Sequence, residues 1–404
     1  MRNIIHCIKC AVAAQVLLTG LLSPALADDA QSKALTVAYN ASGHDLFKTF
    51  AAKPGNVVLS PYSIGTAMAM VLAGARGETE AEMIAVLGHR LSRAEIGAAN
   101  SGVSATLNGY AERNADADSS PRLRIANALM LTRVGGDAVA PDYIALVKNK
   151  FDGEVFRDAG LDEVNGWVRK RTEGKIEKLF DRLDPTTALV LLNAAYFKGA
   201  WKTKFPQSAT EDRDFHLSPS DTVKVRTMRQ EGRFAVAKRL GYRAIRLPYS
   251  VESLAMVILL PDAIDGASAL ARRLDAAEVG SMLAEAATAR PVKVDLAMPR
   301  FKASFKISLV PAFHQMGMKR PFVSALADFS GITERPLEVG EINHAAMIEV
   351  DEEGTAAAAA TGVSMYLRSA PMSEDFRVDR PFLFYLTDTR TGAILFQGLV
   401  RDPR

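Results

Sequence analysis

Residues 188–201 form a long, nearly uncharged run, ALVLLNAAYFKGAW, which predicts a central strand buried on both faces. A second apolar run, 254–260, is closed by Pro261 and reads the same way, and 292–298 and 342–350 predict further strands. Near the C-terminus, 382–386 and 393–400 flank the turn-rich TDTRTG and predict a hairpin. The first third is patterned for helices. Ser60-Pro61 supplies a capping hydroxyl and a proline suited to a first turn, and the apolar run 62–72 continues until Gly74 and Gly77. Thr79 with Glu82 predicts a capping box that opens a helix to about Leu87, and 161–173 predicts another, stopped by Gly174. Helices first and strands later, without strict alternation, indicate an α+β fold with largely antiparallel sheets.

Composition narrows the class. Of 404 residues, 48% are apolar and 24% charged, the balance of a folded chain, and +3 gives no field that calls for nucleic acid or an anionic membrane. There is no repeat and no linker, so one large domain is expected. Arg2 and Lys9 precede an apolar stretch, 11–22, followed by Ala25-Leu26-Ala27. That is the pattern of a secretory signal, 1–27, cut near Ala27; it implies an exported protein whose mature part, 28–404, is a single domain. Both cysteines, Cys7 and Cys10, lie in the signal, so the mature chain has no disulfide and no thiolate. No later run is long and apolar enough to span a membrane.

A search for an active site is unproductive. None of His6, His44, His89, His216, His314 and His344 stands in a metal-binding pair, and no Gly-x-Ser-x-Gly elbow occurs. Gly174-Lys175 is no phosphate loop, because Arg169 occupies the place of its first glycine. Asp351-Glu352-Glu353 is a carboxylate run that reads as a solvated turn sooner than as an acid/base pair or a Ca²⁺ site. No enzyme and no cofactor are expected.

One segment is unusual. From 355 to 367 the chain reads TAAAAATGVSMYL, thirteen residues without a charge, after Glu352, Glu353 and Gly354 and before Arg368 and Ser369. Taken alone it is an Ala-rich helix or a plain linker. Against a permanent helix stand Gly354, Gly362 and Val363 and the lack of an amphipathic stripe. The alternative is a segment built to change state. Small side chains can slide between strands, and at period two one face becomes apolar toward its end.

At this segment the chain resembles the serpins, and the resemblance runs from about Leu35 to Asp402. EEGTAAAAAT at 352–361 looks like that family's hinge, and FRVDRPFLFYL at 376–386 like its C-terminal signature. NVVLSPYSIGTAMAMVLAGARGET at 56–79, LLNAAYFKGAW at 191–201 and ADFSGI at 327–332 are similar to further family segments, in family order. The resemblance implies three mostly antiparallel sheets, eight or nine helices and an exposed reactive loop at about 352–375. It makes Glu352, Glu353, Gly354, Thr355, Ala356, Ala357, Ala358, Ala359 and Ala360 the hinge. It places Ser60, Ser63, Asn193 and His344 in a polar shutter beneath the main sheet, and Trp201 near its top.

Counting from the hinge puts the scissile bond between Arg368 and Ser369, so the implied partner is a trypsin-like serine protease. A slip to Tyr366 or Leu367 would redirect it to chymotrypsin-like enzymes. The implied function is suicide-substrate inhibition by a monomer, with a non-inhibitory binding or carrier role, a chaperone-like role or inhibition of cysteine proteases as alternatives.

Overall fold

The computed structural model describes residues 24–113, 122–131, 138–157, 159–182, 187–354 and 373–404. The segment 355–372, with Thr355, Ala356, Ala357, Ala358, Ala359, Ala360, Arg368 and Ser369, lies outside them, as does nearly all of the expected signal.

The first third is helical, as its patterning implies. α1 (Pro24–Ala51), α2 (Pro61–Gly74), α3 (Gly77–Leu87) and α4 (Arg93–Arg113) are interrupted only by the short β1 (Val57–Leu59). Then come β2 (Arg122–Leu131), α5 (Pro141–Phe151), β3 (Glu154–Arg157), α6 (Leu161–Arg171) and β4 (Leu189–Lys198). A strand-rich stretch follows: β5 (Glu211–Ser218), β6 (Asp221–Arg239), β7 (Tyr242–Pro248) and β8 (Leu254–Pro261). Two short helices, α7 (Ala267–Arg273) and α8 (Ala276–Thr288), lead to β9 (Val292–Pro299) and β10 (Phe301–Ser308). The chain closes with α9 (Val310–Gln315), β11 (Val339–Val350), β12 (Glu374–Arg377), β13 (Phe382–Asp388) and β14 (Ile394–Val400). Nine α-helices thus occur among the described residues.

Hydrogen bonding joins the strands into two sheets. One has five strands in the order β10-β11-β4-β2-β3, the other nine. The nine-stranded sheet is two ladders sharing β6: residues 235–239 pair with β7, while 227–234 pair with β9. Those ladders account for the other two of the three sheets that the family resemblance implies. Most pairs are antiparallel, but β4 runs parallel to β11, with Asn193 opposite His344. The predicted hairpin is present as β13 against β14.

The run 188–201 is buried on both faces, as expected. Leu189, Leu191, Ala195 and Phe197 of β4 join the main core. Val190, Leu192 and Ala194 join a smaller cluster with Val164, Val168, Leu179 and Phe180, from α6 and the strap after it. The strand ends at Lys198, and Trp201 makes only an isolated bridge to Tyr249.

Ser60 caps α2 as predicted, accepting a bond from Ser63 N at 3.3 Å, with Pro61 in the first turn. The capping box is a correction. α3 begins at Gly77, and its N-cap position, Arg76, makes no side-chain cap bond. Thr79 instead accepts from Asp328 N at 2.9 Å, and Glu82 accepts from Lys319 N at 2.5 Å and Arg320 N at 2.7 Å. Both side chains are taken by a neighbouring segment, so they cannot close on their own helix. α6 ends at Arg171, ahead of the predicted stop, because Glu173 already takes a positive φ of 55° before Gly174.

Candidate functional site

Two groups of polar residues lie along the seam between β4 and β11. The lower one is a closed network. Ser60, Ser63, Asn193 and His344 have no exposed surface, and Asn127 on β2 has almost none. Ser60 N donates to His344 Nε2 at 3.3 Å, so that nitrogen is the unprotonated one and Nδ1 donates to Asn193 Oδ1. Asn193 Nδ2 in turn faces Ser63 O at 2.9 Å, Ser63 Oγ at 2.6 Å and Asn127 Oδ1. Ser60 Oγ donates to Leu395 O on β14 at 2.6 Å. Asn127, Asn193 and His344 sit opposite one another on three adjacent strands, so the network ties β2, β4 and β11 to the head of α2. Burial pushes the imidazole down to about 3, so it is neutral at physiological pH.

The upper group holds the chain as it leaves β11. Trp201 Nε1 donates to Asp351 O and Trp201 N to Glu353 O, both at 3.0 Å, and Phe205 N donates to Glu352 O at 2.9 Å. The Trp201 ring stacks on Tyr249 with centroids 4.4 Å apart. Glu352 is only 2% exposed. Its carboxylate takes a forked pair from Arg300, Nε to Oε1 at 2.7 Å and Nη2 to Oε2 at 2.6 Å, with Thr210 Oγ1 also donating. Burial alone would raise that carboxyl, but the bonds from Arg300 and Thr210 outweigh it and hold it below the usual carboxylate range. Glu353 pairs with Lys204 at 2.6 Å.

Gly354 closes this group with φ at +100°. A Cβ there would come within 2.4 Å of Trp201 N and 2.5 Å of Gly199 O, both backbone atoms, so the position admits only glycine without rearrangement.

Every described site residue from the sequence therefore falls in one group or the other: Ser60, Ser63, Asn193 and His344 below, Trp201, Glu352, Glu353 and Gly354 above. The carboxylate run is a correction. Its central member is not solvated, because Arg300 and Thr210 bury and pair it. Sequence reasoning missed Asn127, Thr210, Tyr249 and Arg300. Asn127 carried a signal, a lone amide in the apolar stretch IANALML, whereas Asn193 was singled out by the family resemblance. Arg300, between β9 and β10, carried none.

A larger cavity, about 900 Å³, opens elsewhere, between α1, α8 and the β13–β14 turn, lined by Ala41, His44, Leu283 and Asp388 among others. No described helix is long and apolar enough to cross a membrane, and no cluster suited to a metal occurs among the described residues.

A model of the family described as serpin, serine protease inhibitor, matches residues 37–403. Iripin-2 of Ixodes ricinus is 38% identical over 91% of this chain and 93% of its own. The leukocyte elastase inhibitor of Homo sapiens is 34% identical over 86% and 93%. Among solved structures, human thyroxine-binding globulin in complex with thyroxine superposes with a TM-score of 0.80 at 25% identity, covering 92% of this chain and 99% of that one.

Proposed function

Since the chain belongs to the serpin family, we propose that it is a suicide-substrate inhibitor of trypsin-like serine proteases, with Arg368–Ser369 as the bond it presents. The observation that carries this reading is the glycine-hinged clamp at the head of the β4–β11 seam. It is followed at once by a tract whose first six side chains, 355–360, include no charge and nothing larger than threonine.

The geometry suits insertion. β4 and β11 are parallel, so a segment turning back from the end of β11 runs antiparallel to both. Parting them exchanges one parallel ladder for two antiparallel ones, a gain of one ladder. Over about a dozen residues, at about 1 kcal/mol net for each hydrogen bond, the driving force is on the order of 10 kcal/mol. Strand addition by the serpin loop is itself a standard example of this physics.

The chemistry belongs to the protease. Its serine oxygen attacks the Arg368 carbonyl, the Arg368–Ser369 bond breaks, and the Ser369 amine leaves with the proton that the serine gave up. Arg368 remains esterified to the protease while 355–368 folds into the seam, so the enzyme is carried along and distorted before water can free it. This chain performs no catalysis of its own. It acts as a monomer, is exported after cleavage near Ala27, and needs no cofactor.

The test is incubation of the mature chain with trypsin. An adduct of the summed mass that survives SDS is expected, and Arg368→Ala abolishes it. Clean cleavage without adduct would overturn the inhibitory reading. The second reading, a carrier, is favoured by the 900 Å³ cavity, and the similar thyroxine-binding globulin is a protein crystallised with a small ligand. It predicts no adduct but saturable binding of an apolar small molecule.

A further inference from the structure

Trp201 has a second environment. With Phe205, Gln230, Arg233, Phe234 and Arg246 it lines a cavity of about 310 Å³, at the small end of ligand-pocket sizes. The lining is cationic. Arg246 is half-buried, and the only hydrogen bond of its guanidinium among the described residues goes to Glu252 O at 3.1 Å. Arg233 likewise bonds a main-chain oxygen, Pro291 O at 2.8 Å. Neither guanidinium has a carboxylate at ion-pair distance among the described residues. Lys202 and Glu252 also border the cavity, but they pair with each other at 3.1 Å and cancel. Both guanidiniums therefore lack a direct carboxylate partner among the described residues; Glu252 favours the charge of Arg246 only from beyond ion-pair distance, and burial works against it.

Gln230 adds an independent sign. It is 7% exposed, its Oε1 is buried with no hydrogen-bond partner, and its Nε2 makes only a long 3.5 Å contact with Thr203 O. Gln230 lines this cavity, and a buried amide oxygen without a donor is costly unless something supplies one. The Trp201 and Phe234 rings provide an apolar wall beside these polar groups.

We propose that this cavity binds a small hydroxylated organic anion, its oxyanion held by Arg246 and Arg233 and a hydroxyl donated to the Gln230 amide oxygen. The site bears on the hinge. Trp201 and Phe205 are the residues whose N–H groups hold Glu353 O and Glu352 O. A ligand packed against both braces the clamp that must open for insertion, so the occupied protein inhibits more slowly. That consequence, though not the binding itself, rests on the inhibitory reading.

The probes are glucose 6-phosphate, inorganic phosphate and glucose, read by Trp201 emission in a Trp167→Phe chain, where Trp201 is the sole indole. Saturable binding is expected for glucose 6-phosphate, ~10-fold weaker binding for inorganic phosphate, and none for glucose. Arg233→Gln, exposed and absent from the lining of the larger cavity, should weaken glucose 6-phosphate ~10-fold, and Arg246→Met at least as much. No saturable response, or unchanged affinity in Arg233→Gln, overturns the site, and equal binding of inorganic phosphate overturns the hydroxyl contact assigned to Gln230. With trypsin, saturating glucose 6-phosphate should slow adduct formation several-fold in the parent, and at a concentration near the parent's Kd it should slow Arg233→Gln far less than the parent; an equal rate with and without saturating ligand in the parent overturns the coupling to the hinge. Binding without any adduct would sink the inhibitory reading and leave the site standing.

Discussion

His344 is an imidazole with no exposed surface and both nitrogens engaged, one accepting from Ser60 N and the other donating to Asn193. A second proton on Nε2 would cost the bond from Ser60 and bury a charge, which is why burial lowers its pKa from 6.5 to about 3. His89, also buried, is lowered to about 4 for the same reason. In both cases the folded value lies below the unfolded one, so the unfolded chain binds more protons and stability rises with pH. The contribution is fully present above about 6.5 and is lost as pH falls toward 4. Glu352 has the opposite construction, a carboxyl held low, and its contribution is lost only at more acid pH, below the ordinary carboxylate value. Thermal unfolding should therefore be flat above pH 7 and fall between pH 6 and 4.5. A His344→Gln/His89→Phe chain should be less stable but lose most of that slope, and an unchanged slope would show that other groups carry it. Gly354 offers a second test. Its positive φ and the 2.4 Å approach to Trp201 N mean that Gly354→Ala should destabilise the uncut protein by about 1–3 kcal/mol, read as a lower unfolding midpoint.

At the scale of elements, what could be read in advance was whatever a stretch encodes within itself. β4 was visible because its burial is recorded in its own residues, and the β13–β14 hairpin because its turn lies between two apolar runs. The Ser60 cap was visible for the same reason. The failures at the head of α3 and at the site involve partners from elsewhere in the chain. Thr79 and Glu82 have the spacing of a capping box but are claimed by 319–328. The burial of Glu352 depends on Arg300, 52 residues away, at a corner between two strands. The amide of Asn127 makes sense only once β2 lies beside β4. The proposed hinge is a reading of the first kind, resting on the size and charge of 355–360, which lie outside the described residues. Thr355→Arg places a charge where a side chain must pass between strands, and burying it unpaired costs several kcal/mol, comparable with the whole gain from the first few hydrogen bonds. That variant should still be cut by trypsin at an unchanged rate yet form almost no adduct, and Ala357→Glu should behave alike. Full adduct yield from either would mean that this tract does not enter the sheet.

For the molecule as a whole, the β4–β11 seam is the element whose alternatives matter. Closed, it is one parallel ladder carrying a neutral polar network at its middle and a hinge clamp at its head. Opened and filled by 355–368, it would be a six-stranded sheet with two antiparallel ladders in place of the one. A chain that gains on the order of 10 kcal/mol by that exchange is held in its uncut form by a barrier and not by its free energy. The barrier has identifiable parts: the His344–Asn193 bond, the Trp201 and Phe205 contacts with the hinge carbonyls, and the apolar packing of α6 and its strap over the face that must part. In the proposed mechanism, cleavage in the tract after the hinge frees the segment to insert without altering any of those contacts directly. For 404 residues, an unfolding entropy of about 2.1 cal/mol/K per residue gives about 0.85 kcal/mol/K, so a gain of ~10 kcal/mol raises the unfolding midpoint by about 12 °C. Limited proteolysis followed by calorimetry should find that upward shift in the nicked protein, and no shift in nicked Thr355→Arg. A nicked parent that melts where the intact one does would leave the seam with nothing to gain, and the trap with no force behind it.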